Sequence, residues 1–153
     1  MRRESGYSYV VVMFLVAALS LVSVRALENT LTAERREKEA QLLLVGEAYR
    51  AAIRSYYENG DGSAKVYPPT LADLLKDGRA SLVRRPLRKL YRDPITGSND
   101  WGIIPAESGG VKGVFSLANG KPIKTGFTQE QANFANAVRY RDWRFEYAPN
   151  PKE

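Results

Sequence analysis

From Tyr7 to Val24 every side chain is apolar or aromatic except Ser8, Ser20 and Ser23, and no charge interrupts the run between Glu4 and Arg25. Coiled as a helix, such a stretch spans about 27 Å, close to the thickness of a bilayer's hydrocarbon core. The pattern therefore predicts a membrane-crossing helix over 7–24, and nothing punctuates its end. Between Arg25 and Glu58 there is no Pro, Gly46 is the sole Gly, and helix formers such as Ala33-Glu-Arg-Arg-Glu-Lys-Glu-Ala40 dominate. From residue 42 the apolar positions Leu42, Val45, Tyr49, Ala52, Ile53 and Tyr56 recur at three- and four-residue spacing. One helix from Tyr7 to Tyr57 is expected, near 75 Å at about 1.5 Å per residue. Its three parts would be a membrane segment, a charged neck and a stripe on which a domain packs. In the neck Glu34 and Lys38 form an i,i+4 pair, and the face from Glu34 to Glu39 reads as solvated.

The pattern then breaks. Asn59-Gly-Asp-Gly-Ser63 ends the helix, and Tyr67-Pro68-Pro69 enforces extended backbone. Thr70 reads as an N-cap, with Asp73 completing a capping box for a short helix from Thr70 to Lys76. Arg84 to Tyr91 reads as a connector or short helix, and Asp93-Pro94-Ile-Thr-Gly97 as a turn. Trp101–Ile104, Gly113–Leu117 and Trp143–Tyr147 read as strands, the first two joined through Glu107-Ser-Gly-Gly110. In the last, Arg144 and Glu146 alternate with aromatic residues, as in a half-buried strand. A further helix is expected over Thr128–Val138, and the tail from Ala148 as a loose end. The sum is an α+β chain in which a long N-terminal helix packs on a small antiparallel sheet.

Length allows one membrane segment and one modest folded domain. With no Cys, no disulfide can staple that domain, so it must rely on its core. With no His, Ser-His-Asp and Cys-His nucleophile systems, His-ligated zinc and a His base are all excluded. No catalytic constellation, metal cluster or cofactor motif replaces them, so no enzyme and no cofactor is expected. The 17 acidic and 23 basic residues give a net +6. Without Arg2, Arg3 and Glu4 the counts fall to 16 and 21, still +5. No aromatic-basic motif marks a nucleic-acid surface, so nucleic acid is not expected as a partner. Arg2 and Arg3 precede the span, whereas the residues from Arg25 to Glu39 carry four basic and four acidic side chains. The positive-inside rule then favours an N-terminus in the cytoplasm, with the domain on the far side of the membrane.

A short basic leader ending in Gly6, an aromatic Tyr7 and the apolar run behind it resemble the class III signal of type IV pilins and type II secretion pseudopilins. The resemblance implies a leader over 1–6, cut by a prepilin peptidase after Gly6, and N-methylation of Tyr7. It also implies a membrane segment over 7–24, a periplasmic continuation of the helix over 25–58 and a small α+β part over 59–153. The membrane and assembly helix would then carry Tyr9, Val11, Phe14, Leu15, Leu19 and Val22. Two departures stand out. The fifth position after the cut, usually Glu in the family, is Val11, and the usual Pro of position twenty-two is Glu28. Val22 and Val24 leave open a second cut, after the apolar run.

Later segments extend the resemblance, toward the major pseudopilins. They are Tyr56, Asn59-Gly60, Tyr67-Pro68, Leu71-Ala-Asp-Leu-Leu75, Leu90-Tyr-Arg-Asp93-Pro94, Gly97, Trp101-Gly102 and Val114-Phe-Ser-Leu117 before Asn119-Gly120. Trp101 and Trp143 read as core anchors. No tight acidic cluster marks a calcium loop. The function implied by the resemblance is that of a structural subunit of a type II secretion system, assembling through its N-terminal helix into a periplasmic filament that helps drive protein export. Its expected partners are other pilin-like subunits, the prepilin peptidase, an inner-membrane assembly platform and the lipid bilayer. A minor pilin of a type IV pilus and a signal-anchored periplasmic binding or scaffold protein remain the alternatives.

Overall fold

The computed structural model describes residues 5–60, 65–79 and 83–149. Helix α1 runs over Ser5–Glu58, so the uninterrupted helical pattern is realised as one element. Two compact units divide the chain, one ending at Glu37 and the other beginning at Lys38. In the second, three short strands form an antiparallel sheet in the order β1-β2-β3: β1 over Gly102–Pro105, β2 over Val111–Phe115 and β3 over Arg144–Glu146. Ile103 pairs with Val114, and Val114 in turn with Phe145, which makes β2 the central strand. The hairpin after β1 closes as its Gly residues predict, with Gly109 N–H donating to Ala106 O and Ala106 N–H to Gly110 O. The breaks lie within two residues of the expected strands.

The face of α1 through Leu42, Tyr49, Ile53 and Tyr56 is buried among Leu74, Leu87, Trp101, Val114, Trp143 and Phe145. Both Trp residues are buried, as core anchors should be. Trp143 is ringed by Phe127, Phe134 and Tyr140, with centroids 5.7–5.8 Å away. The Gly within the helical stripe has a packing reason. A Cβ on Gly46 would run into the ring of Phe145, itself fully buried, so the helix and β3 approach more closely than any side chain allows.

Three expectations need correction. The helix over Thr128–Val138 is a 3-10 helix confined to Gln129–Phe134, followed by turns and a second 3-10 segment at Tyr140–Asp142. Its job is to bring Phe134 under Trp143 and Phe145, and a short 3-10 helix does this without an amphipathic face. The segment after Thr70 is likewise 3-10, over Leu71–Leu75. The expected capping box between Thr70 and Asp73 is present, and the Asp73 carboxylate accepts both the Thr70 N–H (2.9 Å) and its hydroxyl (2.7 Å). Finally, the Glu34–Glu39 face is not solvated throughout, because Glu39 is buried. Of the breaker cluster after Glu58, residues 61–63 lie outside the described residues, as does the tail beyond Pro149.

Gly46→Ala would add helix propensity worth about 1 kcal/mol but force the Phe145 ring from its place, at a cost of about 1–3 kcal/mol. A net loss of stability is expected, read as a lower thermal midpoint of the full chain in detergent; an unchanged or raised midpoint would show that the ring has room to move.

Candidate functional site

Residues 7–23 of α1 form an exposed apolar surface. Tyr7, Tyr9, Phe14, Leu15, Leu19 and Val22 are all exposed, Phe14 at 75%, and Val11 is the least so at 39%. An 18-residue window of this helix has a mean hydropathy of 2.5 and no buried part, so α1 is long and apolar enough to cross a membrane. Its few polar side chains suit that medium. Ser20 and Ser23 fold their hydroxyls back onto the carbonyls of Val16 (2.8 Å) and Leu19 (2.9 Å), so neither is an unmatched donor to be desolvated. Charge returns just after, with Arg25 and Glu28 paired at 3.3 Å on an exposed surface. Gly6 lies within α1, and the leader before Ser5 falls outside the described residues.

In the second unit the predicted turns act on the sheet. Tyr67-Pro68 holds the start of β2, because the Pro68 carbonyl accepts the Val111 N–H at 2.8 Å. The Tyr67 hydroxyl donates to the Tyr147 carbonyl just beyond β3, at 3.2 Å. Asp93-Pro94 holds the other end. One Asp93 carboxylate oxygen accepts the Ile95 N–H (2.9 Å), and the other the Ser116 hydroxyl (2.6 Å) just past β2. Gly97, with φ of +72°, closes the turn by donating to the Asp93 carbonyl at 2.7 Å. Asp93 to Gly97 was expected to be a turn and is one, whereas Tyr67-Pro68 is extended backbone rather than a turn. That Asp93 is fully buried, and that the two segments clamp opposite ends of one strand, was not legible in local sequence.

Glu39 is the functional-looking residue that sequence reasoning missed. Its carboxylate is 1% exposed and accepts three hydrogen bonds, from the Ile123 N–H (2.6 Å), the Lys124 N–H (3.0 Å) and the Tyr140 hydroxyl (2.8 Å). Through these three bonds it fastens the 121–124 segment and the Tyr140 turn onto α1. The signal available in sequence was slight, namely an acid one helical turn before Leu43 at the start of the apolar stripe.

The far end of α1 is closed by a second polar cluster. Arg79 donates to the Tyr56 carbonyl (2.6 Å), one of the helix's last four, while its guanidinium lies 3.5 Å from the centre of the Tyr56 ring. Asp77 holds that guanidinium through both oxygens at 2.8–2.9 Å, and these bonds keep its carboxyl below the usual value of 3.8. Nearby the Tyr147 hydroxyl donates to Glu58 at 2.9 Å. Burial and that bond push Tyr147 up to about 12, and the same bond, with Arg54, holds Glu58 down. The open cleft beside this cluster is lined by Glu47, Arg50, Arg54 and Glu146, which pair among themselves and with Glu58 and Lys112. Among the described residues no three metal-ligating side chains converge. Comparison with protein-family models, with curated proteins and with solved structures yields no match.

Two stability measurements test this polar framework. Glu39→Gln keeps the size but turns an amide donor toward groups that also donate, and should cost about 1–3 kcal/mol; a thermal midpoint equal to the parent's would show that the clasp is dispensable. The pH profile has a sign at each end. The Asp77 contribution is complete above pH 3.8 and lost as pH falls through its depressed value, whereas that of Tyr147 is complete below pH 10.0 and lost on the way to about 12. Asp77→Asn should flatten the acid limb and Tyr147→Phe the alkaline one, so profiles parallel to the parent's would contradict the assignment.

Proposed function

We propose that this chain is a pseudopilin-like structural subunit of a type II secretion system, held in the inner membrane and assembled into a filament through α1. The observation that carries the reading is the bare apolar surface over residues 7–23, with both Ser hydroxyls in its second half turned inward, on the helix that also supplies the core of the folded unit. A signal segment that is discarded has no reason to share a helix with the core. A helix retained after processing does, because it carries the folded part wherever it goes. The Gly6-Tyr7 junction behind Arg2 and Arg3 supports retention with a cut in front of the apolar run.

On this reading the subunit's work is assembly. The apolar helix rests in lipid with its N-terminus cytoplasmic, and the unit from Lys38 onward folds in the periplasm. An assembly platform extracts the subunit, and contact with neighbouring apolar helices replaces contact with lipid. At about 25 cal/mol per Å² of apolar surface, leaving the bilayer for water would be prohibitive, so extraction requires that replacement. Val11 fits storage well, since a carboxylate there would be costly in lipid. It also removes a charged partner for a neighbour's N-terminal amine, which favours docking by packing alone.

Two experiments test the proposal. Co-expression with a prepilin peptidase should yield a chain whose mass begins at a methylated Tyr7. An intact Met1 would support a simple signal anchor instead, and a start after Val24 would mean a secreted domain. Leu15→Asp places a charge in the middle of the span, at about 2.5–3.5 kcal/mol on insertion scales. It should abolish membrane insertion or filament incorporation in a fractionation assay, and normal incorporation would count against assembly through this helix.

A further inference from the structure

The net charge of +6 is concentrated in one place. Residues 78–92 hold six basic side chains and no acidic one, and the 17 basic residues elsewhere equal the 17 acidic ones. Within that stretch the nine residues from Arg84 to Arg92 carry five cations, and all five are exposed. Sequence reading treats the segment as a connector or short helix; it is neither helix nor strand beyond a single bridge at Arg84.

Nor is it slack. Its backbone is pinned at intervals: Arg84 exchanges both hydrogen bonds with Asp77 (2.8 and 3.0 Å), and Leu87 donates to the Leu74 carbonyl (2.8 Å). Further along, Tyr91 accepts from the Tyr49 hydroxyl (3.2 Å) and from the Trp101 indole (2.8 Å), and donates to Tyr49 (2.9 Å). The side chain of Leu87 is buried between the pins. The nearest acids in sequence, Asp77 and Asp93, are themselves buried and already committed, to Arg79 and to Ser116 and Ile95. No ion pair among the described residues neutralises Arg85, Arg88 or Arg92. Exposed Val83 and Leu90, at 56% and 45%, interleave with these cations.

We infer that the 83–92 segment is a docking surface for a carboxylate-rich, partly apolar segment of a partner protein. Three features select that chemistry. Like charges within roughly 30 Å of pinned chain repel, and the acids nearest in sequence are already committed, so an acidic partner would be favoured there. Four of the five cations are Arg, whose planar fork grips a carboxylate through two bonds, and pinning reduces the ordering entropy lost on binding. Val83 and Leu90 give the partner apolar contact beside the charges. A nucleic-acid strand would want exposed rings for stacking. Here the one aromatic, Tyr91, is half-buried, edge-on to Tyr49 and covered by Lys89. Attraction to an anionic bilayer would only add to the hold of a chain that α1 is long enough to anchor outright, so it does not single out this segment. The inference stands apart from the filament reading, since it needs only the folded unit.

The test uses the full chain in phosphatidylcholine nanodiscs and a fluorescein-labelled twelve-residue Glu/Leu peptide, followed by anisotropy. The parent should bind it, and the affinity should fall several-fold from low salt to 0.3 M NaCl. Arg85→Glu/Arg88→Glu/Arg92→Glu should weaken binding about tenfold or more, and the corresponding triple Gln variant less so in the same direction. Reversal elsewhere, Lys65→Glu/Lys121→Glu, should change it by less than about twofold. The mutated side chains are exposed, so unchanged thermal midpoints establish that loss of binding is not loss of folding. Failure of the parent to bind, an equal loss in the control, or tighter capture by the same residues of single-stranded DNA or phosphatidylserine vesicles would overturn the proposal.

Discussion

Everything in the unit beginning at Lys38 depends on one packing constraint: a sheet of three strands, of four, five and three residues, must be held against the face of α1 that runs through Leu42, Tyr49, Ile53 and Tyr56. So small a sheet has little independent stability, and a helix against one side supplies the missing surface. The helix comes close enough only because Gly46 lets the ring of Phe145 lie on its backbone. Burial of Tyr49 then obliges its hydroxyl to find partners, which it does in the backbone of Tyr91. The same logic extends along the helix from Glu39 to Tyr56.

Polar groups do the fastening that more strands would do in a larger domain. Buried Glu39 binds one loop and one turn to the helix, buried Asp93 ties a turn to the end of β2, and Asp77 orients the Arg79 guanidinium over the last turn of α1. Each carboxylate is satisfied by several donors, the condition under which a buried charge is tolerated. With three acids turned inward and the 84–92 cations turned out, the surface of this unit is more basic than its composition implies.

The two units obey different rules. In residues 5–37 the side chains from 7 to 23 are exposed, and the polar ones among them either bond back to the helix or lie near its start. From Lys38 onward the same helix is amphipathic and its apolar face is covered. One element thus carries an exposed apolar stretch long enough to cross a membrane and a face buried under a sheet, which is the basis of the proposed assembly role.

The sequence by itself determined what depends on local pattern. The apolar run, the unbroken helix to Glu58, the Asp93–Gly97 turn and the three strands within two residues were all legible, because hydrophobic period and turn chemistry act over a few neighbours. What tertiary structure alone decided were contacts between residues far apart in the chain. Glu39 among Glu34–Glu39 looks like any solvated acid until residues 123, 124 and 140 arrive to bond it. Thr128–Val138 had a helical composition, yet the core needed only Phe134, and a six-residue 3-10 helix delivers it. The Arg84–Arg92 run reads as a linker because its rigidity comes from Leu74, Asp77, Tyr49 and Trp101. Periodicity reports which side chains seek burial; only the assembled core determines which polar groups are buried with them.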